Sequence, residues 1–462
     1  MKNLSVHTKI GVWGFGRVGK ATVKHLHSLG YQVTVLDNRI LRPEEKEILD
    51  RLNIPLLGQH DSADFLNHND VIIPSPGIDL RPYTTYANKW LSELDLFAHS
   101  WRKPYIAITG TVGKTTVTHV LGQLIQKSGM SVAVGGNIGI AMLDLLAQQD
   151  TVDLAILEVS SFQLELATQF SPDLALWTNF YANHLDRHSS AQEYFDAKAM
   201  LLRHQRAGQH AIVPLELAAQ LGARSWSDNQ PQQQIHFFSS TPPATHELTL
   251  LPVNSSIFFL DHDTIFYQPS GLQAQKIAHL SPTLYEITFA QNWLLLCAAL
   301  HLRGISCDRL NTWASSITLP AHRLEKIATI QGIDFYNDSK ATTPQSTLAA
   351  VQRLHERPII LFLGGLSKGI DRTDFIKLLP KEIKMVFCFG KEAPHLGSLC
   401  RNYALPAQEY ATLEQAFAKA LAIAQPGDQL LFSPAGSSFD LFANYEARGT
   451  YFKHLVENYK NS

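Results

Sequence analysis

Twice along its 462 residues the chain runs from an apolar stretch through a glycine turn into a helix-forming segment: KIGVWGFGRVG at 9–19 and PYIAITGTVGKTT at 104–116. A strand that feeds such a turn and then a crossover helix is covered on both faces. Its turn N–H groups are then presented at a helix N-terminus, where phosphate binds well. Two such units predict parallel α/β architecture and suit phosphate binding.

The first turn spaces Gly14, Gly16 and Gly19 as G-x-G-x-x-G around Phe15 and Arg17, and Asp37 closes the next strand, YQVTVLD. Three readings of this turn stay open on its residues alone. It could hold NAD, with Asp37 on a ribose; it could hold another nucleotide diphosphate; or its glycines could serve only close strand–helix packing. The second turn is more specific. Gly110, Thr111, Val112 and Gly113 would cradle phosphate oxygens, Lys114 would reach the β- and γ-phosphates, and Thr115, followed by Thr116, would ligate Mg²⁺. The general phosphate-loop spacing asks for glycine where Ile108 stands, but the strand before and the helix after supply the required context. ATP binding is the expectation.

The length predicts two to four domains. With 45% hydrophobic and 17% charged residues the composition is globular, and a formal charge of -2 gives no footprint for nucleic acid. The four cysteines form no CxxC pair and are expected as buried free thiols of a reducing compartment. The first strand begins too early to leave room for a signal peptide, and runs such as LLLCAAL at 294–300 are too short for a membrane span. A cytoplasmic protein that binds no membrane is expected. The turn and strand pattern divides the chain into three α/β domains: a Rossmann-like one at 1–97, a central phosphate-loop one at 98–318 and a C-terminal Rossmann-like one at 319–462. The stretch from about 205 to 280, with SDNQPQQQ and SSTPPAT, reads as a surface elaboration containing one hairpin, SIFFLDHDTIFYQ. A helix is predicted at about 286–303, capped by Gly304.

The carboxylate of Glu158 ends the otherwise apolar run DLAILEVS, where a charge is costly unless paired or bound to metal. His184 in NHLDRH and Lys198 in YFDAKAMLL carry no message by themselves; a loop histidine and a solvated helix lysine are the plain readings.

Together these stretches resemble the Mur ligase family. The resemblance rests on GTVGKTT, SPGI at 75–78, GGNIG at 135–139, LEVSSFQLE at 157–165, NHLDRH at 183–188, HRLE at 322–325, NDSKAT at 337–342, GGLSKGID at 364–371 and SPAGSSFDLFANYEARG at 433–449. They fall in all three predicted domains in family order, and NDSKAT with the last stretch points to the D-glutamate-adding branch. The resemblance implies an ATP-dependent ligase that activates the carboxyl of UDP-N-acetylmuramoyl-L-alanine as an acyl phosphate and couples it to D-glutamate.

It also implies roles. Gly14, Phe15, Gly16 and Arg17 would surround the UDP, with Asp37, Asn38, Arg39, Ser75, Pro76, Gly77 and Asn137. Asn137, Asn292, Arg323, Asp338 and Lys340 would serve the ATP side. Thr115, Glu158 and His184 would hold Mg²⁺ or Mn²⁺, and Lys198, carbamylated, would help to place a second metal. Thr342, Lys368, Ser438, Phe439 and Tyr445 would form the D-glutamate pocket. Lys114, His184, Lys198 and Lys340 are the implied catalytic set, and a monomer is implied.

Val112 replaces the family's loop asparagine, Thr288-Phe289 stands where His-Asn is usual, and Gly436 and Ser437 replace cysteine and alanine. Two rivals remain at this stage. One is a sibling or folylpolyglutamate-type ligase adding another amino acid; the other, of a different class, is an NAD-sensing regulatory module.

Overall fold

The computed structural model describes residues 5, 7–185, 187–222, 233–249, 251–252, 255–367 and 369–461. The backbone falls into two compact units, one of residues 1–181 and 192–318, the other of 182–191 and 319–462.

The first unit carries two sheets. Strands β1 (Lys9–Trp13), β2 (Gln32–Leu36), β3 (Leu56–Leu57) and β4 (Val71–Pro74) form a parallel sheet in the order β3-β2-β1-β4. KIGVW and VIIP are apolar runs without alternation, and both are almost wholly buried, as strands covered on two faces must be. The helix Arg17–Ser28 covers one face through Ala21, Val23 and Leu26. A second helix, Glu93–Ser100, runs across the expected junction at 97/98, so a helical segment rather than a loop leads into the next sheet.

That sheet has nine strands: β5 (Tyr105–Thr109), β6 (Val132–Gly136), β7 (Leu154–Glu158), β8 (Leu174–Trp177), β9 (His210–Pro214), β10 (Gln234–Ser239), β11 (Ser256–Asp261), β12 (Thr264–Gln268) and β13 (Gln275–His279). Their order is β13-β12-β11-β10-β9-β8-β5-β7-β6, parallel except for the last two pairings, β11 with β12 and β12 with β13. The stretch expected as surface elaboration therefore extends the central sheet by five strands, and only β11 and β12 form the predicted hairpin, turning at His262 with φ 51°. Of the polar segment SDNQPQQQ, residues 227–232 lie outside the described residues, and its last residue, Gln234, opens β10. The first two sheets share one continuous apolar core, from Ile10, Val12 and Leu26 through Phe97 and Trp101 to Leu157, Trp177 and Phe195.

In place of one helix at 286–303 there are two, Pro282–Ile287 and Ala290–Leu302, broken at the extended Thr288. AQNWLLLCAALHL is apolar almost all round and is accordingly a buried helix. Gly304 follows it with φ 71°, the left-handed stop expected there.

The second unit contains β14 (Glu325–Ile330), β15 (Ile333–Asn337), β16 (Ile359–Gly364), β17 (Met385–Phe389), β18 (Ala407–Tyr410) and β19 (Gln429–Phe432), in the order β14-β15-β19-β16-β17-β18. Only β14 pairs antiparallel. Separate apolar clusters cover its two faces, one around Leu361 and Val386, the other around Phe362, Phe432 and Phe452. The chain is thus three α/β domains in series. All four cysteines are free and buried. Among the described residues no helix is long and apolar enough to cross a membrane.

Candidate active site

Strand β5 lies between β7 and β8, so the chain reverses direction across the sheet at β5, where open α/β sheets bind ligands beyond the strand C-termini. The phosphate loop at 110–116 leaves that end of β5, with the tips of β7 and β8 on either side. Gly110 has φ 141°, and a Cβ there would stand 2.0 Å from Thr178 Oγ1, so no other residue fits. Lys114 donates to the carbonyls of Gly110 at 2.7 Å and Thr111 at 3.0 Å.

Val112 lacks the family's asparagine side chain, but its backbone is gripped by the end of β8. Its N–H donates to Asn179 Oδ1 at 2.9 Å, and its carbonyl accepts from Asn179 Nδ2 at 3.0 Å and Thr178 Oγ1 at 2.6 Å. Thr178 and Asn179 escaped the sequence reading; a polar Thr-Asn pair directly after the apolar run ALW was the available signal. Asn292 stands beside the loop as expected: a Cβ on Gly113 would come within 3.0 Å of its Oδ1. Its Nδ2 donates to Thr288 Oγ1 at 2.7 Å, so the altered Thr288 is a partner for Asn292.

Glu158, at the end of β7, is 2% exposed. Its carboxylate accepts from Thr115 Oγ1 at 2.6 Å and from Asn137 Nδ2 at 2.8 Å. A hydroxyl and a carboxylate side by side at the phosphate loop are hard oxygen donors. Among the described residues no three His, Cys, Asp or Glu side chains gather into a metal cluster. Few protein ligands, with phosphate and water completing the shell, are what Mg²⁺ takes. Thr115 and Glu158 fit that ion.

Lys198 is not solvated. It is 1% exposed on the helix Ala191–Arg203, its Nζ donates to Gly110 O at 2.9 Å, and it sits 4.5 Å over the ring of Tyr194. Burial, reinforced by Lys114, lowers its ammonium well below the ordinary lysine value, while Glu158 pulls the other way. Tyr194, whose hydroxyl lies 3.3 Å from Thr111 Oγ1, is a further site residue that the sequence reading missed.

At the first turn Asp37 is 7% exposed, and its Oδ2 accepts from Phe15 N–H at 2.6 Å and from Arg39 Nη2 at 2.9 Å. Burial alone would raise its carboxyl, but the Arg39 guanidinium and the two N–H groups hold it below its usual range. Ser75 closes the other side, its Oγ donating to Gly14 O at 3.2 Å. Gly77, Asn38 and Arg39 are exposed, and Pro76 is half-buried. Arg17 leaves this turn for the 137–139 loop, donating from Nη1 to Gly139 O at 3.0 Å and from Nη2 to Asn137 O at 2.9 Å.

In the second unit the loops after β15, β16 and β19 leave the same edge of three adjacent strands. Asp338 is buried and accepts from Ser433 Oγ at 2.7 Å and Leu324 N at 3.0 Å; burial raises its carboxyl to about 6. Lys340 lies 4.9 Å over the Tyr445 ring. Arg448, fully buried, ties the loops together through Ser339 O at 2.7 Å and Gly436 O at 2.9 Å. Ser438 is buried, Thr342 and Arg323 are half-buried, and Phe439 is 70% exposed. Lys368 lies outside the described residues. His184 belongs to this unit, in a positive-φ turn whose carbonyl accepts from the N–H groups of Arg187 and His188.

The substitution at Gly436 has a structural partner. A Cβ there would stand 2.5 Å from Arg372 Nη2 and from Gly364 O. Arg372 is 1% exposed and donates to Gly365 O at 3.0 Å, while its Nε and Nη1 have no hydrogen-bond partner among the described residues.

Family models match three stretches: the Mur ligase MurD-like N-terminal domain at 8–89, the Mur ligase middle domain at 108–265 and the Mur ligase glutamate ligase domain at 322–436. A UDP-N-acetylmuramoylalanine–D-glutamate ligase of Desulfotalea psychrophila is 33% identical, over 98% of this chain and 96% of the relative. One of the same name from Thermoanaerobacter sp. is 32% identical over 97% and 98%. A pseudomurein peptide ligase type C of Methanothermus fervidus shares the fold, with a TM-score of 0.54 at 18% identity, over 98% of this chain and all of that one. With the phosphate loop, the Thr115–Glu158 pair and three α/β domains in the same order, these matches settle the family: the chain belongs to the Mur ligases.

Proposed function

We propose that this ATP- and Mg²⁺-dependent ligase joins D-glutamate to UDP-N-acetylmuramoyl-L-alanine in peptidoglycan precursor synthesis, as a cytoplasmic monomer with domains divided at 97/98 and 318/319. The observation that carries the reading is the convergence of Lys114, Thr115, Glu158 and Lys198 on one phosphate loop, in a chain alike over nearly its full length to ligases of that name. The first turn holds the UDP: backbone N–H groups at the start of the helix Arg17–Ser28 face the diphosphate, and Asp37 and Ser75 keep the turn in shape.

Making an amide from a carboxylate in water is uphill, so the carboxyl is first phosphorylated by ATP and the amine of D-glutamate then displaces phosphate. Negative charge grows on phosphoryl oxygens, and fixed cations and N–H groups lower that barrier most. Lys114 and the loop N–H groups bind and orient the β- and γ-phosphates. Bound Mg²⁺, or Mn²⁺, would be held by Thr115, Glu158 and His184 and would neutralise phosphate charge. Lys198 would serve as a carbamate: its neutral amine would add to CO₂, forming the N–C bond and releasing one proton, and the resulting anion would help to hold a second metal. Its burial supplies the neutral amine that this requires. Asn292, Arg323, Asp338 and Lys340 complete the nucleotide side, and Thr342, Lys368, Ser438, Phe439 and Tyr445 receive D-glutamate.

The test is phosphate release from ATP by purified protein. It should require both UDP-N-acetylmuramoyl-L-alanine and D-glutamate, and should vanish in Lys114→Ala. Phosphate release without an amino acid, a preference for another amino acid, or NADH bound at the first turn would overturn the reading.

A further inference from the structure

Arg17 is exposed on the first turn of its helix, yet both arms of its fork are committed, at 3.0 and 2.9 Å, to carbonyls two residues apart in the 137–139 loop. That loop is small and closed: Gly136 N–H donates to Ile140 O at 2.9 Å, and residues 135 and 140 form an isolated bridge. Its first residue continues the chain of contacts. Asn137 N–H donates to Glu158 O at 2.8 Å, its Nδ2 donates to Glu158 Oε1 at 2.8 Å, and Glu158 Oε2 accepts from Thr115 Oγ1 at 2.6 Å. Four polar groups in sequence thus join the glycine turn of the first domain to the phosphate loop of the second.

A planar guanidinium bonded to two carbonyls fixes both the position and the tilt of the segment it holds; an ammonium on a flexible stem fixes neither. Being exposed, the Arg17 fork competes with water and gives up side-chain freedom each time it engages. A diphosphate lying on the turn would order the backbone from which Arg17 projects and so reduce that cost. The loop, with Asn137 and Glu158, would then already be ordered when the second nucleotide arrives, which is positive coupling without a large movement.

We infer that Arg17 is a positioning residue that couples occupancy of the sugar-nucleotide turn to the affinity of the nucleoside-triphosphate site through Asn137 and Glu158. This rests on the assignment of the first turn to UDP. A simple clasp between domains would behave differently: its loss would lower stability and both affinities while leaving each ligand's effect on the other intact.

Calorimetric titration of a non-hydrolysable ATP analogue with Mg²⁺, with and without saturating UDP-N-acetylmuramoyl-L-alanine, separates these cases. The wild type should bind the analogue about tenfold more tightly when the sugar nucleotide is present, within the usual span of such couplings. In Arg17→Met the gain should fall below about twofold, and Arg17→Lys, with its single ammonium, should recover only part of it. Retention of the full gain in either variant overturns the inference, as does a wild type that binds both ligands without any gain. If the wild type does not bind the sugar nucleotide at all, the assignment of the turn to UDP falls too, a result distinct from the others.

Discussion

Thr115 and Glu158 meet hydroxyl to carboxylate at 2.6 Å, one on the first turn of the helix after β5 and the other at the tip of neighbouring β7. The contact joins the phosphate loop to the acidic residue that an apolar strand would otherwise bury at a cost. Thr115→Val should leave the fold intact and lower acceptor-dependent phosphate release roughly a hundredfold, on the scale of losing one preorganised polar group at a reacting phosphate. Thr115→Ser should retain most of it. Steady-state phosphate assays on the two variants check this.

Lys198 should fail by a different route. Lys198→Ala should lose most activity, and a small carboxylate such as formate should restore part of it by standing in for the carbamate. Full turnover of Lys198→Ala without any additive would rule the carbamate out. Because the neutral amine is the form that takes up CO₂, stripping bicarbonate from the buffer should lower wild-type activity and leave the rescued variant unchanged.

Acid should loosen the extension of the central sheet. His236 is buried, with its Nε2 3.0 Å from His210 Nδ1 and its Nδ1 2.6 Å from Ser256 Oγ. Burial first, then His210 and His301, lowers it from about 6.5 to about 3. The unfolded chain therefore takes up a proton that the folded chain refuses between those values. The stabilisation is whole above about pH 6.5 and is lost as pH falls towards 3, by at most about 1.4 kcal/mol per pH unit. Melting curves from pH 7 to pH 4 should show a shallower acid limb in His236→Phe than in the wild type.

Asp95 anchors the helix Glu93–Ser100 at the segment before β8. It is 1% exposed and accepts from Thr168 N, Thr168 Oγ1 and Gln169 N at 2.7–3.0 Å. Asp95→Ala would strand these donors in the interior, and it should cost about 2–4 kcal/mol in denaturant unfolding. Asp95→Asn, which keeps an acceptor, should cost less.

Much of this was written locally in the chain. GTVGKTT between an apolar strand and a helix, and an acid closing DLAILE, describe the phosphate loop and its carboxylate before any coordinate is known. The helical spacing of Tyr194, Lys198 and Leu201 even places the lysine on an apolar face, a signal that the reading of Lys198 as solvated passed over. What could not be read is what depends on pairing between distant segments. Nothing in HAIVP or QIHFFS says that these strands extend a sheet begun at β5. Arg17 and Asn137 lie 120 positions apart, and no spacing rule connects them.

The surroundings of Gly436 limit what that position accepts. Since a methyl-sized addition at 436 would collide with the backbone carbonyl of Gly364 as well as with the guanidinium, glycine is required there by the main chain of its own sheet edge and not by Arg372 alone. Gly436→Cys should be poorly tolerated in this background, and a shorter side chain at 372 should relieve only the collision with the guanidinium.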